Sequence, residues 1–187
     1  MEVHVEILAG RRELRQAMAA TRGKMLPFNC RPLSEKGVRK AILSRHGSLD
    51  RYIFHVVAKV PDRVHTHLRT HNLINRFYQC SSSRPDLEHS TDGSMRVVDF
   101  NLPAKRLLEM AELRLCTGEG IVWPETLKFM EELKKKISNI EPAFQGLLQP
   151  ECVYKGFCNN GKCRFYRHNM LIRKEIIKEA EFYAKGE

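Results

Sequence analysis

Three cysteines fall within twelve residues in "CVYKGFCNNGKC", at Cys152, Cys158 and Cys163. Thiolates are soft ligands, and a tetrahedral zinc or a cubane iron–sulfur cluster takes four of them or three plus a histidine. Asn159-Asn160-Gly161 suits the tight turn that lets sulfurs converge. Cys116, brought in by folding, and His168, shortly downstream, are the candidates for a fourth ligand. Reduced structural cysteines in a loop are the plain alternative. The remaining cysteines are Cys30 and Cys80, the latter a candidate nucleophile.

The second chemistry-bearing stretch is "RVHTHLRTHNLINRFYQCSSSR", residues 63–84. His67 and His71 would share a face of a helix, whereas His65 and His67 would pair on a strand. A metal hydrolase built on these histidines lacks a carboxylate within the stretch, Asp62 being the nearest. Arg63, Arg69, Arg76 and Arg84 repel added cations, and anion binding fits them better. Arginine grips phosphate in bidentate fashion, and serine hydroxyls add short neutral donors.

The elements that would position these groups read as α+β. "EVHVEIL" places Val3, Val5 and Ile7 on one face of a strand, and "RYIFHVVAKV" and "MRVVDFNL" read as further strands. "GRRELRQAMAATRG" reads as a helix burying Leu14, Ala17 and Met18. "SEKGVRKAILSRHG" reads as another, capped by Ser34. In "PAKRLLEMAELRLC", Pro103 occupies the first turn and Leu107, Leu108, Ala111 and Leu115 form the apolar stripe. "WPETLKFMEELKKKISNI" repeats the pattern through Leu127, Met130, Leu133 and Ile137. "SSRPDLEHSTDGS" and the cysteine-rich segment read as loops, and "NMLIRKEIIKEAEFYAKG" as a closing amphipathic helix.

The 187 residues suit one globular unit, with 1–150 as its main α+β part and 151–187 as cysteine-rich loop and terminal helix. The net charge of +10 and a pI near 9.5 favour an anionic partner: a nucleotide, another phosphorylated ligand or nucleic acid. Only Phe77 and Tyr78 interleave the basic stretch, which counts against a nucleic-acid face. No apolar run reaches the roughly 20 residues of a membrane span. The alternating acidic start does not read as a secretory signal, so the expected compartment is the cytoplasm, with reduced cysteines.

In order along the chain, these stretches resemble the flavin-dependent thymidylate synthases (the ThyX family). "SRHGSLDRYIF" is similar to that family's "GHxSxxEHxxF", and "YIFHVVAKVPDRVHTHLRTH" to its F-x-F strand followed by R-x-x-x-H-Q-x-x-R-H-R. Ser82-Ser83-Arg84 resembles its Ser-x-Arg, and "PAKRLLEMAELRLC" its "NARSLxxFxxLRxC" helix. "QPECVYKGFCNNGKC" is similar to the segment that follows in cysteine-bearing members.

The resemblance implies a twisted, mostly antiparallel sheet flanked by helices, a homotetramer, and FAD bound between subunits. It also implies a pyrimidine nucleotide stacked on the flavin, with folate and NADPH as one-carbon donor and reductant. Carried over position by position, Arg69, His71 and Asn72 would bind the cofactor. Ser82, Arg84 and Arg114 would bind the nucleotide, Arg114 from a neighbouring subunit. Cys116, Cys152, Cys158 and Cys163 remain the metal candidates, for zinc or an iron–sulfur cluster.

The departures are specific. Thr66 replaces the family's glutamine, Thr70 the central histidine of RHR, and Pro124 the arginine of "AQxEIR". The expectation is therefore an enzyme of transferase type acting on a uracil-type nucleotide, with chemistry other than ordinary dUMP methylation. The alternative is a metal-stapled basic module that binds nucleic acid without catalysis.

Overall fold

The computed structural model describes residues 1–70, 75–79, 95–118, 122–158, 163 and 165–185. Its centre is an antiparallel four-stranded sheet in the order β1-β2-β4-β3: β1 (Glu2–Ala9), β2 (Ile53–Pro61), β3 (Asn75–Gln79) and β4 (Met95–Pro103). The middle strands pair in register from Ile53↔Pro103 to Pro61↔Met95. Phe54, Val56, Ala58 and Val60 on β2 and Val98, Phe100 and Leu102 on β4 are buried, alternating with half-buried or exposed neighbours. Period-two burial of this kind marks a sheet with one face in the core.

Helices α1 (Arg11–Ala20), α2 (Glu35–Leu43), α4 (Ala104–Arg114) and α5 (Pro124–Ile140) fall where their apolar periodicity places them. Ser34 caps α2 by accepting a hydrogen bond from the Gly37 N–H at 3.2 Å. Pro103 stands one position earlier than expected, as the N-cap of α4 rather than within its first turn. On β1 only Val3 is buried, Val5 is half-buried and Ile7 is exposed, so the expected apolar face fades along the strand.

Two helices go beyond the sequence reading, which left the histidine stretch open between helix and strand and took the cysteine segment as a loop. Residues Asp62–Thr70 form α3, burying Val64 and Leu68 four residues apart. The segment expected as a cysteine-rich loop contains α6 (Glu151–Lys155), which carries Cys152. At five residues, α6 is too short to register as a helix by periodicity. The terminal helix α7 (Tyr166–Ala184) follows.

One buried carboxylate ties the layers together. Glu141, at the end of α5, accepts a forked pair of hydrogen bonds from Arg11 at 2.9 and 2.5 Å. It also accepts one from the Tyr52 hydroxyl at 2.5 Å and one from the Ala143 N–H. Burial alone would push the Glu141 carboxyl up, but these donors outweigh it and hold it below its ordinary value. Arg39 does similar work between helices, gripping Glu179 on α7 at 2.5 and 2.7 Å and the Gln145 carbonyl at 2.9 Å.

Candidate functional site

The anion-binding reading rests on residues 63–84, of which the structure describes 63–70 and 75–79. Arg69 lies in the last turn of α3. His71, Asn72, Cys80, Ser82 and Arg84 lie outside the described residues. The helical form of α3 separates the histidines by role. His65 is buried, while His67 points to the start of α5.

There His67 stacks on Trp123, with ring centroids 4.3 Å apart and planes 13° from parallel, and its Nδ1 lies 3.0 Å from the Thr126 hydroxyl. The Arg63 guanidinium sits 5.6 Å from the Trp123 ring centroid. Burial, and then the positive charge of Arg114, lower the pKa of His67 below 6.5, so the imidazole is neutral at neutral pH. Burial also lowers the pKa of Arg114, yet an arginine remains cationic in any protein setting. Arg114 therefore acts on His67 within one chain. The result is a stacked aromatic pair between α3 and the start of α5, with the Arg63 guanidinium near Trp123 and the positive charge of Arg114 acting on His67.

Trp123 was not among the candidates read from sequence. It is the chain's single tryptophan, and it stands 42% exposed as the residue before the α5 N-terminal proline. The lone tryptophan in "VWPE" is the signal that could have found it. Pro124, which stands where the related motif carries arginine, is the first residue of α5 and starts that helix.

The cysteine candidates converge elsewhere. Cys116, just past α4, Cys152 on α6, Cys158 after it and Cys163 before α7 all line one cavity of about 200 Å³. Leu113, Pro150 and Phe157 supply apolar wall, and Glu112, Thr117, Glu151 and Asn169 the polar part. The thiols are not joined in disulfides. Burial raises the pKa of Cys152; a hydrogen bond from Asn169 Nδ2 at 3.3 Å opposes this, and charge on Cys158, Cys116 and Cys163 raises it further. Among the described residues, no group of three or more His, Cys, Asp or Glu is arranged to hold a metal ion. His168, the alternative fourth ligand, is on α7 and is not among the residues lining the cavity.

Local structure explains how α6 presents Cys152 and Cys158. Gly156 ends α6 at φ +83°, a left-handed conformation that favours glycine. A Cβ there would meet the Arg173 guanidinium at 2.9 Å. Arg173 reaches over from α7 to donate to the Val153 carbonyl at 2.9 Å and to that of Tyr154, and the Tyr166 hydroxyl donates to the Gly156 carbonyl at 3.1 Å.

No family model matches this sequence, and no curated protein matches it. Among solved structures, the chain is similar to a UMP/dUMP methylase, PolB from Streptomyces cacaoi, bound with 5-Br dUMP. The TM-score is 0.54 at 12% identity, covering 80% of this chain and 97% of that one. The same enzyme bound with 5-Br UMP gives 0.51 at 13% identity, over 80% and 96% of the two chains. Among the described residues, no helix is long and apolar enough to cross a membrane. At such identities the likeness is one of architecture: the chain shares the fold of a UMP/dUMP methylase.

Proposed function

We propose that this protein is a flavin-dependent enzyme that modifies the base of a uracil-type nucleoside monophosphate, a transferase in the broad sense. The observation that carries the reading is the shared fold, which spans nearly the whole of a UMP/dUMP methylase. The site chemistry supports it. The Arg63 guanidinium lies near Trp123 and the charge of Arg114 acts on His67, and two such cations would suit the phosphates of a mononucleotide and of FAD. Arg69, His71 and Asn72 would hold FAD; Ser82, Arg84 and Arg114 would hold the nucleotide phosphate. When bound, FAD supplies hydride transfer.

The protein's own residues then bind and orient. Arg114, partly withdrawn from water, would grip an anion more strongly than an exposed arginine. His67, neutral and stacked, would offer a ring nitrogen without competing for the phosphate. Ordinary dUMP methylation is not the proposed reaction, because Thr66, Thr70 and Pro124 replace polar anchors of the motif it resembles. Each lost charge-assisted hydrogen bond costs about 1.5–3 kcal/mol of binding. Folate and NADPH are the proposed one-carbon donor and reductant, and a homotetramer the proposed assembly.

The test is an absorbance spectrum of the purified chain supplied with FAD, followed by turnover assays with UMP and dUMP. Flavin bands that co-purify, and product formed on either nucleotide, are expected. A colourless protein that refuses FAD and instead binds oligonucleotides with steep salt dependence would replace this reading with a basic nucleic-acid module.

A further inference from the structure

Four sulfur-bearing side chains reach one cavity from separate parts of the fold: Cys116 from the end of α4, Cys152 from α6, Cys158 from beyond it and Cys163 from the approach to α7. We propose that this cavity is a thiolate-ligated metal centre, with Cys116, Cys152, Cys158 and Cys163 as its ligands. Nothing in the nucleotide reading requires it, and it stands on different residues.

Convergence is the first argument. Cys116 is distant in sequence from the other three, and only the packing of α4 against α6 brings it to the same cavity. The four sulfurs line the cavity without already forming a ligand set, so binding must draw them together. Zinc and an iron–sulfur cluster each take four thiolates, and the metal's identity is left to the experiment.

The surroundings are those of a supported site. Asn169, itself buried, donates to Cys152 Sγ at 3.3 Å; outer hydrogen bonds of this kind orient thiolate ligands and tune a cluster's potential. Leu113, Pro150 and Phe157 keep part of the wall apolar. The two acids on the wall, Glu112 and Glu151, are paired with Arg45 and Lys155, and Arg45 also stacks on Tyr154 at 4.3 Å. These pairings keep further uncompensated negative charge away from four thiolates. The clamp of Arg173 and Tyr166 on the end of α6 fixes two of the ligands relative to α7. On binding, each thiol gives up its proton to solvent and the sulfur bonds to metal, with no change of oxidation state at sulfur.

The experiment is metal and acid-labile sulfide analysis of the full chain purified without oxygen. Both are counted chemically, so a flavin chromophore does not interfere. About four iron and four sulfide per chain is the expected result for a cubane cluster. About one zinc per chain without sulfide would support the thiolate centre and assign it to a single ion. Cys116→Ser and Cys158→Ser should each lower the metal content at least several-fold, whereas Cys30→Ser, whose residue does not line the cavity, should leave it unchanged.

If the serine variants fail to fold, the metal-free wild-type chain is titrated with Co²⁺. Sulfur-to-cobalt charge-transfer bands are then expected. A folded chain that carries no metal and gives no such bands overturns the proposal, as does a metal content indifferent to Cys116→Ser and Cys158→Ser.

Discussion

At the scale of single residues, Arg114 and Trp123 decide most. Arg114 lies close enough to His67 to lower its pKa, second only to burial as a cause. Arg114→Ala should therefore move the His67 titration back toward 6.5, read by NMR from the imidazole proton shifts. In the wild type the midpoint should lie below that value. The unfolded chain takes up this proton first, so the contribution of neutral His67 is lost as pH falls from 6.5 toward the lowered folded value. The same substitution should weaken uracil-nucleotide binding about 10- to 100-fold, the range for losing one charge-assisted hydrogen bond. Calorimetric titration checks it, and an unchanged affinity would remove Arg114 from the site. Arg114 stood out in the sequence as an expected nucleotide ligand from its place in the "LR" stretch. Trp123 stood out only as a lone tryptophan before a proline, and its stacking on His67 is set by the closed fold.

At the scale of elements, helices with three or more apolar positions in phase were legible and the short or chemically busy ones were not. The stripe of Leu127, Met130, Leu133 and Ile137 marks α5, and three of the four are fully buried there. In α3 the same signal exists in Val64 and Leu68, but the histidines between them and the arginines on either side read as chemistry and masked it. Helix α6 is five residues long, below what periodicity can resolve, and packing against α7 sustains it. Gly156→Ala tests that dependence. It forces a Cβ into a left-handed turn and against Arg173, and should destabilise the fold by more than about 1 kcal/mol. A denaturant midpoint would show it. A neutral result would mean that the α6–α7 clamp holds neither helix.

At the scale of the whole molecule, the charge surplus of +10 points to anions, and the Glu141 network shows how the layers stay joined despite it. Glu141→Ala should cost about 3 kcal/mol, as for other buried ion pairs broken on one side, and thermal unfolding would measure it. Because its folded pKa is lowered, this carboxylate stabilises the protein above the ordinary value of 4.5; the contribution is lost as pH falls from there through the folded value. Sequence alone pointed to the α+β architecture, since alternation in β2 and β4 and the helical stripes are local. It could not show which charges meet, because Arg11 and Glu141 are joined only by the closed fold. The central claim, a uracil-nucleotide enzyme built on this fold, is tested most directly by calorimetric titration of the FAD-supplied chain with UMP and dUMP, with a mixed oligonucleotide as comparison. Saturable binding of a mononucleotide, weakened in Arg114→Ala, is the predicted result. Heat from the oligonucleotide alone, falling steeply with added salt, would contradict it.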